Sequence, residues 1–187
     1  MYITSRNKID EFGEEFYSIQ KSILKSLLEI NLIPIPIFDR EQFKFISSNY
    51  QKPQFILLSG GENKGLNTDR DDLERLLLEH SISEQIPVLG ICRGMQQMLY
   101  FFDQSPQELQ KHISTSHMVS GEFNSVVNSF HQFGYFSVPE NFQILARCSD
   151  ESIEAVFEHR YKWLGLMWHP ERMSDRNWLN ILIKDYF

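Results

Sequence analysis

Pro87-Val88-Leu89-Gly90-Ile91-Cys92-Arg93-Gly94-Met95-Gln96 is the stretch on which the fold turns. Pro87 to Ile91 is a short, almost wholly apolar run, the pattern of a strand buried on both faces, and Gly94 to Phe102 reads as a helix. Such a strand passing straight into a helix belongs to an α/β unit on a parallel sheet. Gly90-Ile91-Cys92-Arg93-Gly94 is a G-x-C-x-G, the thiol counterpart of the G-x-S-x-G nucleophile elbow. Its glycines permit a tight strand-to-helix turn around a strained nucleophile. The helix N-terminus is expected to lower the thiol pKa and favour the thiolate. The alternative is a structural cysteine in a turn.

The same alternation extends outward. Tyr2 to Ser5 reads as a strand, and Phe12, Phe16, Ile19, Ile23, Leu27 and Ile30 recur at helical spacing. Ile33 to Phe38 is extended, because Pro34 and Pro36 disfavour helix in the residues before them. Phe55 to Leu58 is a buried strand ending at Ser59-Gly60-Gly61, and Asp71 to His80 a helix capped by Thr68 or Asp69, with Leu73, Leu76 and Leu77 inward. From about Ser114 to Phe157 the segments are shorter and β-like, as in Ser125-Val126-Val127 and Ile144-Leu145-Ala146. Trp163 to Trp168 is a last apolar strand, and a closing helix falls within Asp175 to Tyr186. The expected architecture is α/β: a mainly parallel central sheet, flanking helices and extra antiparallel edge strands, in one domain spanning 1–187.

Composition narrows the function classes. The 187 residues are 42% hydrophobic and 23% charged, too apolar for a disordered chain and too interrupted for membrane spans. A formal net charge of −7 argues against a general binder of nucleic acid or anionic membrane. Two cysteines make no disulfide scaffold and fit a reducing, cytoplasmic setting; Met1-Tyr2-Ile3-Thr4-Ser5-Arg6 is too polar for a secretory leader.

Two further motifs bear on chemistry. Trp168-His169-Pro170-Glu171 ends the last strand, where a histidine reaches a nucleophile at the end of a parallel neighbour. Cys92, His169 and Glu171 in that order make a nucleophile–base–acid triad, worth more together than either motif alone. Gly60-Gly61 at a strand end exposes backbone N–H groups suited to an oxyanion hole, although glycine pairs mostly mark ordinary turns.

In order, spacing and strand context these motifs resemble the class I glutamine amidotransferases over nearly the whole chain. Within them, Arg70-Asp71 with Glu74, Arg93-Gly94-Met95-Gln96, Asn128-Ser129-Phe130-His131-Gln132 and Ile3-Thr4-Ser5-Arg6 look like the γ-glutamyl hydrolase branch. The resemblance implies hydrolysis of a γ-glutamyl amide through a thioester on Cys92, with His169 as acid and base and Glu171 orienting it. The oxyanion would lie between the N–H groups of Gly61 and Arg93. Gly60, Gln96, Phe130, His131 and Gln132 would meet the glutamyl group. The Pro34–Pro36 strand and Lys111-His112 with His117 resemble branch members whose γ-glutamyl group sits on a CDP-linked phosphoramidate used in bacterial capsule biosynthesis. Arg93, Lys111, His112, His117 and Arg172 are the residues available to sort an anionic substrate's charge. The segment Asp103-Gln104-Ser105-Pro106 departs from the family's usual Gly-Gly after the elbow helix.

The resemblance implies a small-molecule substrate, no cofactor and no obligatory synthetase partner; a glutaminase serving a separate synthetase and a non-catalytic binding protein are the alternatives. The histidines show no zinc-ligand spacing, so no metal is expected. His131 is read as structural or substrate-contacting, and His80 and His159 as solvent-facing. His112 and His117 are read either as diphosphate contacts or as part of a solvated loop, Cys148 as a packed thiol, and Trp163 and Trp168 as core.

Overall fold

The computed structural model describes residues 1–174 and 177–187. Strand β1 (Tyr2–Thr4) leads into a hairpin, β2 (Arg6–Ile9) and β3 (Glu15–Ser18), and then helix α1 (Lys21–Glu29). Strand β4 (Ile35–Ile37), helix α2 (Arg40–Asn49), strand β5 (Ile56–Leu58) and helix α3 (Thr68–Glu84) follow. Next come strand β6 (Val88–Ile91) and helix α4 (Arg93–Phe101). Strands β7 (Gln107–Glu108), β8 (Ile113–Gly121), β9 (Ser125–Phe130), β10 (Phe133–Gly134), β11 (Phe142–Cys148), β12 (Ile153–Glu158) and β13 (Trp163–Leu166) complete the β-structure. A 3-10 turn at Pro170–Arg172 precedes helix α5 (Trp178–Tyr186).

Nine strands form one sheet in the order β4-β1-β5-β6-β13-β12-β11-β8-β9. The β4-β1, β1-β5, β5-β6 and β6-β13 pairs are parallel. From β13 onward the pairs are antiparallel, so the β-rich segment forms an edge, as its sequence suggests. Strands β1, β5, β6 and β13 are buried on both faces. Ile3, Leu57, Leu89 and Leu164 face Ile23, Leu27, Leu179 and Leu182 from α1 and α5. Tyr2, Ile56, Leu58 and Val88 face Phe43, Leu73, Leu77, Met95 and Met98 from α2, α3 and α4. The two-residue alternation of a strand thus feeds two helical layers.

Three sequence readings change. Phe12 to Ser18 is not helical: Asp10 Oδ1 accepts from the N–H groups of Phe12 and Glu14 at 2.9 Å, and Gly13 takes φ 83°. That turn closes the β2–β3 hairpin and leaves Phe12 82% exposed, so the helical spacing of Phe12 and Phe16 is coincidental. Helix α3 begins at Thr68 with Asn67 as its cap, whose side chain accepts from the Arg70 N–H at 3.1 Å. Helix α2 lies in a stretch the apolar pattern leaves unassigned. Its signal was local: Asp39 accepts from Gln42 N while Gln42 Oε1 accepts from Phe38 N, a reciprocal cap. Of the expected closing helix, Asp175 and Arg176 lie outside the described residues, and α5 accounts for the rest.

The elbow is possible only because Gly90 and Gly94 lack side chains. A Cβ on Gly90 would stand 2.6 Å from the Gly94 carbonyl carbon, and one on Gly94 would overlap the backbone oxygen of Leu58. Helix α4 therefore rides directly on β5 and β6. Gly94→Ala is expected to cost at least about 3 kcal/mol, since neither backbone can yield; a lower urea midpoint at unchanged slope is the readout.

Candidate active site

Cys92 sits between β6 and α4 with φ 52° and ψ −102°, a left-side conformation that a non-glycine residue holds only under strain. Its N–H donates to the Leu166 carbonyl at 2.6 Å, tying the elbow to the neighbouring strand β13. Since β6 and β13 are parallel and in register from Val88 with Trp163 to Ile91 with Leu166, Cys92 and His169 leave the same edge of the sheet. The Gly60 loop at the end of β5 reaches that edge too. A Cβ on Gly60 would lie 2.6 Å from His169 Cε1, so only glycine lets the backbone approach the ring this closely.

Glu171 Oε1 lies 2.8 Å from His169 Nδ1, and both side chains are buried. Pro170 opens the 3-10 turn that folds the carboxylate back onto the imidazole two residues earlier. Asn128 holds the histidine backbone from both sides: its Oδ1 accepts from His169 N at 2.9 Å and its Nδ2 donates to His169 O at 2.8 Å. The Phe130 ring meets the imidazole edge-on at 5.9 Å, and the Arg172 guanidinium lies 4.6 Å from the Phe130 centroid. Gln20, with its amide turned to suit its neighbours, donates to Glu171 Oε1 at 2.8 Å and accepts from Arg6 and Arg172. Arg6 Nε also donates to Gly60 O at 2.6 Å.

Burial decides the protonation states. The expectation of a thiolate at the helix N-terminus is overturned: desolvation pushes the Cys92 thiol up to about 11, against the Arg93 N–H, Arg172 and Arg6. Desolvation likewise pulls His169 below the usual imidazole value, with Glu171 opposing the shift. The resting pair is therefore a neutral thiol and a neutral imidazole.

Beneath the elbow lies a buried ionic network. Arg70 Nε donates to Glu74 Oε1 at 3.0 Å, and its Nη2 donates to Ser59 O at 2.8 Å and Gly60 O at 3.3 Å. Arg93 pairs with both Glu74 and Asp71, and Asp71 Oδ2 accepts from Gly65 N at 2.7 Å. Burial would raise Glu74, but Arg93 and Arg70 hold it below the ordinary carboxylate range. A Cβ on Gly61 would overlap the Arg70 guanidinium and lie 3.4 Å from Arg93 Cδ, so Gly61 is seated on the same network.

The structure thus brings together Cys92, Arg93, Gly60, Gly61, His169, Glu171 and Phe130. Gln96, on the first turn of α4, donates to Phe133 O at 3.2 Å. Gln132 is half-buried and donates to Glu108 Oε1 at 2.9 Å. The ring nitrogens of His131 face Phe133 O and Glu154, and its backbone N–H donates to His112 O at 3.1 Å. His112 and His117 do not form a solvated loop: both rings pack around the buried Glu154. Of the five residues expected to sort anionic charge, Arg93 is taken by carboxylates, His112 and His117 pack on Glu154, Lys111 is exposed, and Arg172 borders the site. His80 is half-buried against Phe43 rather than solvent-facing. Sequence reasoning assigned no role to Asn128 or Gln20. Asn128 opens the Asn-Ser-Phe-His-Gln motif, but its pairing with His169 spans 41 residues and leaves no local trace.

Fold and site together define a class: the chain belongs to the glutamine amidotransferase class-I family, whose model matches residues 9–187. Among individual proteins, it is 31% identical over 164 residues to the γ-glutamyl-CDP-amidate hydrolase of Campylobacter jejuni, covering 84% of this chain and 80% of that one. It is 25% identical over 192 residues to the glutamine-hydrolyzing GMP synthase of Brachyspira hyodysenteriae, covering 95% of this chain but 36% of that protein. The crystal structure of a glutamine amidotransferase from Thermotoga maritima shares the fold at a TM-score of 0.66 and 15% identity, covering 98% of this chain and 83% of that one.

Replacing Glu74 by Ala removes a carboxylate shared by two buried guanidinium groups and is expected to cost about 3–5 kcal/mol, read by urea unfolding. In the native chain the Glu74 contribution is fully present above the unfolded carboxylate value. It is lost as pH falls through the depressed folded value, so the wild-type advantage over Glu74→Ala should shrink toward low pH.

Proposed function

We propose that this chain hydrolyses a γ-glutamyl amide through a thioester on Cys92, with γ-glutamyl-CDP-amidate as the substrate. The observation carrying this reading is the strained, buried Cys92 at one sheet edge with the His169–Glu171 pair. His169 Nε2 takes the thiol proton as sulfur adds to the γ-carbonyl carbon. The oxyanion is held by the N–H groups of Gly61 and Arg93, each such donor being worth roughly 3 kcal/mol. The C–N bond then breaks and the protonated imidazole returns its proton to the leaving nitrogen. Water attacks the thioester, giving one proton to His169, and the thiol is restored as glutamate departs. Glu171 keeps the proton on Nδ1, so that Nε2 carries the lone pair.

The neutral resting pair suits this sequence, since a protonated imidazole cannot accept the thiol proton. The backbone from Phe130 to Gln132 and Gln96 on α4 would receive the glutamyl group. Arg6 and Arg172, the cations beside Glu171, would face the anionic leaving group. The similarity to the Campylobacter jejuni hydrolase supports the CDP-amidate, and with it a place in capsule biosynthesis. Similarity to GMP synthase favours a second reading, a glutaminase that passes ammonia to a separate synthetase.

A panel of γ-glutamyl conjugates compared by kcat/KM, with no partner added, separates the two. The proposal expects γ-glutamyl-CDP-amidate to lead; glutamine turnover only on adding a synthetase would overturn it. Cys92→Ala should abolish turnover with the circular dichroism spectrum unchanged, and Glu171→Gln should lower kcat by at least about 100-fold. Because His169 must be neutral and burial depresses its pKa, the acid limb of kcat/KM should fall below the ordinary value of 6.5.

A further inference from the structure

Behind Phe130, on the antiparallel side of the sheet, four strands bring together groups that the proposed reaction does not use. His112 precedes β8, His117 lies within it, His131 follows β9, Cys148 ends β11 and Glu154 lies on β12. Glu154 is fully buried, and His112 and His131 are each 3% exposed. His112 Nδ1, His117 Nε2, His131 Nε2 and both oxygens of Glu154 are buried without a hydrogen-bond partner. Five orphaned polar atoms at one point cost far more than a core tolerates unless something binds them.

We propose that His112, His117, His131 and Glu154 form a binding site for one divalent transition-metal cation of the zinc class. Tautomer logic comes first. His131 Nδ1 lies 3.1 Å from the Phe133 carbonyl, which can only accept, so Nδ1 carries the proton and Nε2 presents its lone pair to Glu154. His112 Nε2 lies 2.9 Å from Asp150 Oδ2, while Ser152 donates twice to the other oxygen of Asp150. His112 therefore donates to the carboxylate and turns the lone pair of Nδ1 toward Glu154. A carboxylate behind His112 and a carbonyl behind His131, each fixing its tautomer, is the arrangement found behind metal-bound histidines.

Distance supplies the second argument. Glu154 Oε1 stands 3.6 Å from His112 Nδ1 and 3.5 Å from His131 Nε2, and its Oε2 stands 3.4 Å from His117 Nε2. These exceed the roughly 2.7–2.9 Å of an imidazolium–carboxylate hydrogen bond. They approach the edge of a tetrahedron with bonds of about 2.0–2.1 Å, which is about 3.3 Å. The donor atoms of His112, His131 and Glu154 lie within 4.8 Å of one another, as do those of His112, His117 and Cys148, so Cys148 is placed to replace one ligand. Imidazole with one carboxylate suits zinc and its neighbours better than calcium or magnesium. Bound there, the cation would staple β8, β9 and β12 behind the Phe130 segment that packs on His169.

The test is metal content and spectroscopy on the purified 187-residue chain after chelator treatment. One equivalent of Zn2+ should bind and raise Tm, and Co2+ should give the visible bands of a tetrahedral site. A thiolate charge-transfer band that Cys148→Ser removes would place Cys148 among the ligands. Its absence would support the His/Glu set. Cys92→Ser should retain the metal, while Glu154→Gln and His117→Asn should lose it. Asp150→Asn should weaken affinity about 10-fold or more. His117 is the most accessible of the four, so His117→Asn remains informative where Glu154→Gln fails to fold. A chain that takes up no stoichiometric Zn2+, binding that disappears with Cys92→Ser, or binding that survives His117→Asn and a folded Glu154→Gln would overturn the proposal.

Discussion

Beneath the elbow, Arg70 and Arg93 are buried with Asp71 and Glu74, and the surrounding site is built on that charge-balanced knot. Removing any one member upsets the balance of buried charge, which a low-dielectric interior penalises heavily. Arg70 reaches the carbonyls of Ser59 and Gly60, so the loop ending β5 is positioned from below. Arg93 is the first residue of α4, so the same knot sets where the helix begins and where its leading N–H points. The two strand-end segments that flank Cys92 therefore share one anchor.

A second set of constraints works from the side. Asn128 binds both the N–H and the carbonyl of His169, Phe130 packs on its ring, and Glu171 binds its Nδ1. These partners come from β9 and the turn after β13, so the antiparallel edge steadies the imidazole. Gln20 and Arg6 close the arrangement from the β1–α1 side. The cost of enclosing the site is a thiol far less acidic than a solvated one. In the proposed reaction the neutral imidazole at the same sheet edge supplies the base that a permanent thiolate would make unnecessary.

Legibility in the sequence followed the range of the interactions. Strand β6, the elbow and α4 were readable because one uninterrupted stretch holds both the apolar run and the glycines that the crossing under Leu58 demands. The β2–β3 hairpin was misread because Phe12 and Phe16 mimic a helical repeat, while the deciding Asp10 turn acts through two side-chain hydrogen bonds. Helix α2 had its signal in Asp39 and Gln42, a polar cap that an apolar pattern overlooks. The histidine cluster had no sequence signature, because its members lie on separate strands and meet only when the sheet forms.

The sequence by itself determined the alternation of strand and helix, the position of the elbow and the order Cys92, His169, Glu171. Those follow from local backbone preference and from apolar residues spaced to be buried. Only the tertiary structure decided that the thiol is protonated, that Asn128 grips His169, and that His112, His117 and His131 converge on Glu154. Protonation depends on how much solvent the whole fold removes. Convergence depends on sheet register, and neither is a property of any short stretch of chain.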